Sequence, residues 1–149
     1  MSSNRKPTFV CLHGAWHNPS CWDNLKGLLA THKYACVCPS LPSTGANPPL
    51  DDFTEDVDMI RSTVTELVNE NEEVIVVMHS YSGIPGGQAL EGLDRKSRSE
   101  RGLAGGVTRL IYIMSFIVPE GFQHSARGTR ENMVPMMKTN FEVCLPLDS

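Results

Sequence analysis

Ser80 is the residue whose type and position point most directly to covalent chemistry. It comes directly after the apolar, β-branched run 73–78 and His79, and a helical pattern begins at Gly83. A serine at a sharp turn between a buried strand and a helix is the arrangement of a nucleophile elbow, which exposes the hydroxyl oxygen to a substrate carbonyl. The tight turn favours small residues two positions before and after the serine, and here these are Met78 and Ser82. The alternative is that Ser80 only caps the helix, as serine often does.

A second segment could supply the electrostatic part of such a reaction. The apolar run 7–12 ends just before Gly14, which has no Cβ and therefore lets the backbone approach a ligand closely. Acyl transfer needs two N–H groups aimed at the developing oxyanion. One belongs to the residue after the nucleophile, here Tyr81, and the other to a loop after a neighbouring strand, where Ala15 is the candidate. We assign substrate-binding roles to Gly14, Trp16 and His17, although a simple strand-to-loop turn with aromatic packing would explain these residues too.

The five cysteines do not suggest a metal site. Their number is odd, they form no CxxC pair, and no Cys/His ligands occur at finger-like spacing, so we predict no bound metal. Cys36 and Cys38 lie in an apolar run and would point to the same face of a strand. We therefore predict free thiols in a reducing compartment. The full set is Cys11, Cys21, Cys36, Cys38 and Cys144.

The elements that must position these residues alternate along the chain. We predict strands at 7–12, 34–38, 73–78 and 110–114, and helices at 22–32, 53–69, 83–93 and, on a weaker pattern, 130–141. Segment 94–106 is predicted to be a charged surface loop. The acidic residues at the start of the second helix are placed where the helix dipole favours negative charge, namely Asp51, Asp52, Glu55 and Asp56. The alternation predicts an α/β fold with a mainly parallel sheet and flanking helices in a single domain, 1–149.

Composition limits the classes of partner. The chain has 149 residues and a net charge of −4, which weighs against nucleic acid because phosphate binding needs a clustered basic face. The apolar run 9–12 is too short for a signal-peptide core, and no run approaches the roughly 20 apolar residues of a membrane span. We therefore expect a cytoplasmic protein with a small-molecule substrate. The glycines after the third strand do not form G-x-G-x-x-G, so we expect no dinucleotide and no other cofactor.

Four segments together resemble the α/β-hydrolase superfamily, and within it the small cofactor-free branch of methylesterases and hydroxynitrile lyases. They are residues 9–17 (FVCLHGAWH), 21–22 (CW), 76–83 (VVMHSYSG) and 112–121 (YIMSFIVPEG). The resemblance implies the N-terminal part of an α/β-hydrolase fold that looks C-terminally truncated, with residues 116–149 as the start of a cap. It also implies Ser80 as the nucleophile and the backbone N–H groups of Ala15 and Tyr81 as oxyanion donors. Met78 and Ser82 depart from the glycines usual in this elbow.

The resemblance leaves the base and the acid of a triad unassigned. A serine is a weak nucleophile unless a histidine takes its proton and a carboxylate orients that histidine. His124 is the one histidine after Ser80, and Glu120 is the carboxylate just past the fourth predicted strand. We expect both to lie on the surface of the cap rather than in a triad. We also expect His79 to point away from the Ser80 hydroxyl.

The function implied is that of an esterase-type serine hydrolase acting on a small organic ester. One alternative is a catalytically inactive, truncated hydrolase that acts at most as a small-molecule binding or interaction protein. Another keeps the scaffold but changes the chemistry to carbon–carbon cleavage or cofactor-free oxygenation. Because strand 110–114 would be an exposed apolar edge, we also expect self-association along that edge.

Overall fold

A computed structural model describes residues 5–121 of the chain, and the structural statements below concern these residues. The chain divides into two compact units, Met1–Val118 and Pro119–Ser149. The first unit contains every strand and helix described here, and only residues 119–121 of the second are described. The predicted helix 130–141, His124 and Cys144 lie outside the described residues.

Four strands form one parallel sheet, which confirms the predicted α/β fold class. They are β1 (Thr8–Leu12), β2 (Cys36–Val37), β3 (Glu73–His79) and β4 (Gly106–Ile113), in the order β2-β1-β3-β4. Both β2 and β3 pair in parallel with β1, and β4 pairs in parallel with β3. The long apolar runs of β1 and β3 suit strands in the middle of a parallel sheet, because such strands are covered on both faces.

The helices are α1 (Asp23–Thr31), α2 (Thr54–Asn69), α3 (Gly83–Ala89) and α4 (Arg95–Glu100). Short 3₁₀ turns at Pro19–Trp22 and Ser80–Ser82 lead into α1 and α3. Among these described helices none is long and apolar enough to cross a membrane.

The main core lies between α2 and one face of the sheet. One apolar face of α2 is buried there, and alternate residues of β1 and β3 meet it, since successive strand residues point to opposite faces. The buried members from these three elements are Val10, Leu12, Val57, Ile60, Val64, Val68, Val74, Val76 and Met78. A smaller cluster of Cys11, Trp22 and Val77 covers the other face of the sheet.

The prediction that segment 94–106 is all loop is wrong. Helix α4 lies within it, and Asp94 caps this helix by accepting a hydrogen bond from the Ser97 N–H at 2.9 Å. The charged composition hid a helix that buries Arg98. In α1 the apolar residues recur at helical spacing, but no residue of the helix is buried and Leu28 is 63% exposed.

Candidate active site

The carboxyl ends of β1 and β3 lie side by side at the middle of the sheet. The chain leaves β1 towards β2 on one side and leaves β3 towards β4 on the other. Ligands of open parallel sheets bind in the crevice outside the carboxyl ends of the strands at such a switch point. The segments that follow these two strands, 13–17 and 79–82, are those that contain the predicted site residues.

Ser80 lies at the turn between β3 and α3, with a backbone φ of 53°. This left-handed conformation costs a non-glycine residue about 1–3 kcal/mol and is typical of strained functional turns. His79 has an extended backbone (φ −109°, ψ 127°) and caps the 3₁₀ turn that Ser80 begins. Ser80 is therefore inside the 3₁₀ turn, and Ser82 occupies the N-cap position of α3, so Ser80 caps neither of them.

The two departures from the usual elbow glycines, Met78 and Ser82, are accommodated by their neighbours. Met78 is fully buried, and its Sδ would lie 2.7 Å from a Cβ built on Gly86, so the absence of that Cβ makes room for Met78. The buried Ser82 hydroxyl accepts a hydrogen bond from the His79 N–H at 2.9 Å. It donates towards the carbonyl oxygens of His79 at 2.9 Å and Leu12 at 3.1 Å. Ser82 thus ties the turn to the end of β1.

The carbonyl oxygen of Ser80 is held by the segment that follows β4. The Ser115 hydroxyl donates to it at 2.8 Å and the Phe116 N–H at 3.2 Å. Gly83 permits this approach, because a Cβ at that position would overlap the Phe116 carbonyl oxygen and the Ser115 hydroxyl. The C=O and N–H of a trans peptide point in opposite directions. Fixing the Ser80 oxygen therefore also fixes the direction of the Tyr81 N–H.

The second candidate donor lies on a peptide held in the same manner. The Gly14 carbonyl oxygen accepts hydrogen bonds from His13 Nδ1 at 2.9 Å and from the His17 N–H at 3.3 Å. The Leu41 N–H donates to His13 Nε2 at 3.1 Å, so the proton of this buried imidazole is on Nδ1. The direction of the Ala15 N–H, opposite the Gly14 oxygen, is fixed as a result.

Gly14 lies directly against the elbow. A Cβ on Gly14 would be 2.8 Å from His79 Nδ1 and 3.2 Å from Ser80 Cβ. The close approach that requires glycine is thus made to the elbow, whereas the sequence led us to expect an approach to a ligand. The loop that contains Ala15 and the turn that contains Tyr81 are in van der Waals contact through Gly14.

Asp56 holds the side chain of Tyr81 from α2. The Tyr81 hydroxyl donates to Asp56 Oδ2 at 2.6 Å, and Ser43 donates to the same carboxylate through its hydroxyl at 2.6 Å and its N–H at 2.8 Å. Asp56 is fully buried and lies in the first turn of α2, as the sequence predicted, and the hydrogen-bond network adds to the favourable helix dipole there. Burial and then the hydrogen bond to Asp56 raise the pKa of Tyr81, which keeps its hydroxyl a donor. Sequence reasoning missed this role because Ser43, Asp56 and Tyr81 are far apart in the chain.

Trp16 and His17 lie on the outer part of the β1 loop. Trp16 is 63% exposed and has a φ of 60°. The His17 ring lies 5.6 Å from the ring of His79 in an edge-on arrangement, and the His79 ring lies 6.4 Å from that of Trp22. His17 is therefore next to the residue that precedes Ser80, whereas its role and that of Trp16 in binding a substrate stay predictions.

The described residues place the nucleophile and donor candidates together but do not assign a base. The Nδ1 atom of His13 is hydrogen-bonded to the Gly14 carbonyl oxygen, as described above. The Nδ1 atom of His17 is hydrogen-bonded to the carbonyl oxygen of Ala15. Glu120 is exposed, in the second compact unit. His124 lies outside the described residues.

Comparisons with known proteins identify the family. A model described as the alpha/beta hydrolase family matches residues 9–139. The alpha/beta hydrolase nvfD of Aspergillus novofumigatus is 35% identical over 130 residues, covering 87% of this chain and 50% of its own length. The alpha-hydroxynitrile lyase of Arabidopsis thaliana is 35% identical, and the match covers 54% of this chain and 32% of the lyase. Methylesterase 18 of the same plant is 33% identical, and the match covers 50% of this chain and 30% of the methylesterase.

Solved structures show the same fold. Tomato methylketone synthase I complexed with 2-tridecanone superposes with a TM-score of 0.63 at 19% identity, covering 80% of this chain and 43% of its own. Polyneuridine aldehyde esterase superposes with a TM-score of 0.58 at 20% identity, covering 74% of this chain and 41% of its own. The chain thus spans about half the length, or less, of the relatives it matches.

Proposed function

We propose that this chain, which belongs to the alpha/beta hydrolase family, contains the nucleophile half of an esterase-type serine hydrolase for a small organic ester. Relatives named methylesterase and a structural neighbour named polyneuridine aldehyde esterase support ester chemistry. The observation that carries the proposal is the left-handed backbone of Ser80, at the switch point of the sheet and against Gly14.

In the proposed reaction, Ser80 Oγ attacks the carbonyl carbon of the ester, and the N–H groups of Ala15 and Tyr81 hold the oxygen that becomes negative. Donors that are fixed before reaction stabilise the transition state without reorganisation, and removal of one donor costs roughly 10²–10³ in rate in other hydrolases. The carbonyl contacts of Gly14 and Ser80 provide that fixation here. The hydroxyl proton passes to a general base, which we expect outside residues 5–121.

Labelling by a serine-directed fluorophosphonate tests the proposal. We expect covalent modification of Ser80 in the full chain, found by peptide mass spectrometry and lost in Ser80→Ala. Ser99→Ala is the matched control, because Ser99 is exposed on α4 and its loss leaves the elbow unchanged. Circular dichroism of each variant checks folding.

Turnover of p-nitrophenyl acetate gives a second readout. Rates that are equal in the wild type and Ser80→Ala, together with a folded but unlabelled wild type, would contradict the serine nucleophile. That result would favour the non-catalytic alternative, in which the chain binds a small molecule or a partner.

A further inference from the structure

Three cysteine side chains meet between β1 and β2, outside the hydrogen-bond network of the elbow. Cys11 Sγ lies 3.6 Å from Cys36 Sγ, and Cys36 Sγ lies 3.7 Å from Cys38 Sγ. All three sulfur atoms lie within 4.8 Å of one another. The parallel register pairs Phe9 with Cys36, so Cys11 and Cys38 each lie two residues further along their strands on the same face.

The sulfur spacing matches that of a tetrahedral metal site. Zinc binds thiolates at about 2.3 Å, and the edge of a tetrahedron with that bond length is about 3.8 Å. Two of the three sulfur–sulfur distances are already close to this value. The distance between the sulfur atoms of the third pair, Cys11 and Cys38, is at most 4.8 Å. It therefore needs to shorten by at most about 1 Å to reach the tetrahedral edge, and side-chain rotation can supply this change.

We propose that Cys11, Cys36 and Cys38 bind a thiophilic d¹⁰ cation, Zn²⁺, through three thiolates, with the fourth position open to water or an external ligand. This site does not depend on the proposed hydrolase chemistry. It also reverses our expectation from the sequence that no metal is bound. That expectation relied on ligand spacing along one segment, whereas here the sheet brings residue 11 to residues 36 and 38.

Burial and charge around the cluster favour a bound cation. Cys11 is fully buried, while Cys36 and Cys38 are half-buried and give an entry path from solvent. Phe9, Trp22 and Leu25 pack around the thiols and limit competing water. Zn²⁺ with three thiolates has a net charge of −1, which the nearby positive charge of Lys26 would partly balance.

Metal binding at this cluster is expected to depend on pH. Only a thiolate ligates the metal, so the three thiols give up the protons they carry when Zn²⁺ binds. Affinity for Zn²⁺ therefore falls as the pH is lowered.

Co²⁺ is the spectroscopic probe for a test that does not depend on activity. The reduced full chain with Cys21→Ser and Cys144→Ser retains only the cluster thiols. Titration with Co²⁺ should give thiolate-to-metal charge-transfer absorption that saturates at one equivalent and is abolished by Zn²⁺. A pH-stat titration with Zn²⁺ should show proton release that stops at one equivalent of the ion.

Cys36→Ser and Cys38→Ser in that background are the decisive variants, because these half-buried positions tolerate a serine better than the buried Cys11. Each should weaken Zn²⁺ binding by at least about 100-fold, the upper end of what loss of an outer-shell partner costs. Cys21→Ser alone should bind as the wild type does. The proposal is overturned if the reduced protein gives no charge-transfer band, if both variants bind unchanged, or if the cluster forms a disulfide but takes up no metal.

Discussion

Gly83 determines how closely the segment after β4 can approach the elbow. Its missing Cβ leaves room for the Phe116 carbonyl, and this approach allows Ser115 and Phe116 to hold the Ser80 oxygen. A backbone contact of this kind cannot be relieved by rotating a side chain. The position of the Tyr81 N–H therefore depends on a residue that has no side chain of its own.

Gly83→Ala and Gly87→Ala form a matched pair in the same helix. We expect Gly83→Ala to displace residues 115–116, to lower stability by about 1–3 kcal/mol through overpacking, and to slow fluorophosphonate labelling of Ser80. The Cβ added by Gly87→Ala has no neighbouring atom within 4 Å, so this substitution should stabilise α3 by about 0.5–1 kcal/mol. Urea unfolding and labelling rates check both expectations. Equal effects of the two variants would show that the contact at Gly83 does not matter.

Residue types at strand ends were predictable from the sequence, but side-chain partners were not. Ser80 and Gly14 could be selected because each directly follows a run that is plainly a buried strand. The links from Asp56 to Tyr81, and from His13 to Leu41, join residues 25 and 28 positions apart. No local pattern contains such distances, because they are set by how α2 and the loop after β2 pack on the sheet.

Arg98 connects α4 to the end of α2. The residue is 4% exposed, and its guanidinium donates to the carbonyl oxygens of Val68 at 2.9 Å and Ala104 at 3.0 Å, and to Asn69 Oδ1 at 3.2 Å. A positive charge at the carboxyl end of a helix is also favoured by the helix dipole. Arg98 thus fixes the connection between α2 and β3, the strand that leads to the elbow.

Arg98→Met should destabilise the fold by about 2–3 kcal/mol, because it leaves buried carbonyl oxygens without their donor. Arg95→Met is the control on the same helix, since Arg95 is exposed and forms a 3.7 Å ion pair with the half-exposed Glu73. We expect the control to change stability by less than about 1 kcal/mol. Urea midpoints with unchanged m-values measure both. Similar losses in the two variants would contradict a special role for the buried guanidinium.

Elements with a strong apolar period were predictable, and those stabilised by polar contacts were not. The predicted strand 73–78 and the predicted helix 53–69 lie close to the observed bounds of β3 and α2. In α4, by contrast, the stabilising features are the Asp94 cap and the buried Arg98, and a charged six-residue segment has no apolar period to find. In α1 the apolar residues are periodic, yet Leu28 is exposed, because periodicity alone does not say what covers a face.

Within residues 5–121 the sheet ends in an apolar edge at β4, the last strand in the order of the described sheet. Leu110, Ile111 and Ile113 are 45%, 38% and 40% exposed, and Met114, just past the strand, is 92% exposed. An edge of this kind has unpaired backbone groups and apolar side chains together, which is the template for pairing with another chain. The matched residues cover half or less of each relative's own length, and we expect the corresponding edge to be covered in a chain of that length.

We therefore expect the 149-residue chain to self-associate and to bind a hydrophobic dye. Ile111→Lys with Ile113→Lys should weaken association by at least about 10-fold, because charge on an edge strand opposes pairing. Leu28→Lys is the control, since Leu28 is 63% exposed on α1, away from the strand. Light scattering coupled to gel filtration and dye fluorescence measure the outcome. A dye-negative wild-type monomer would contradict the open edge, and equal effects of the two substitutions would place the association elsewhere on the surface.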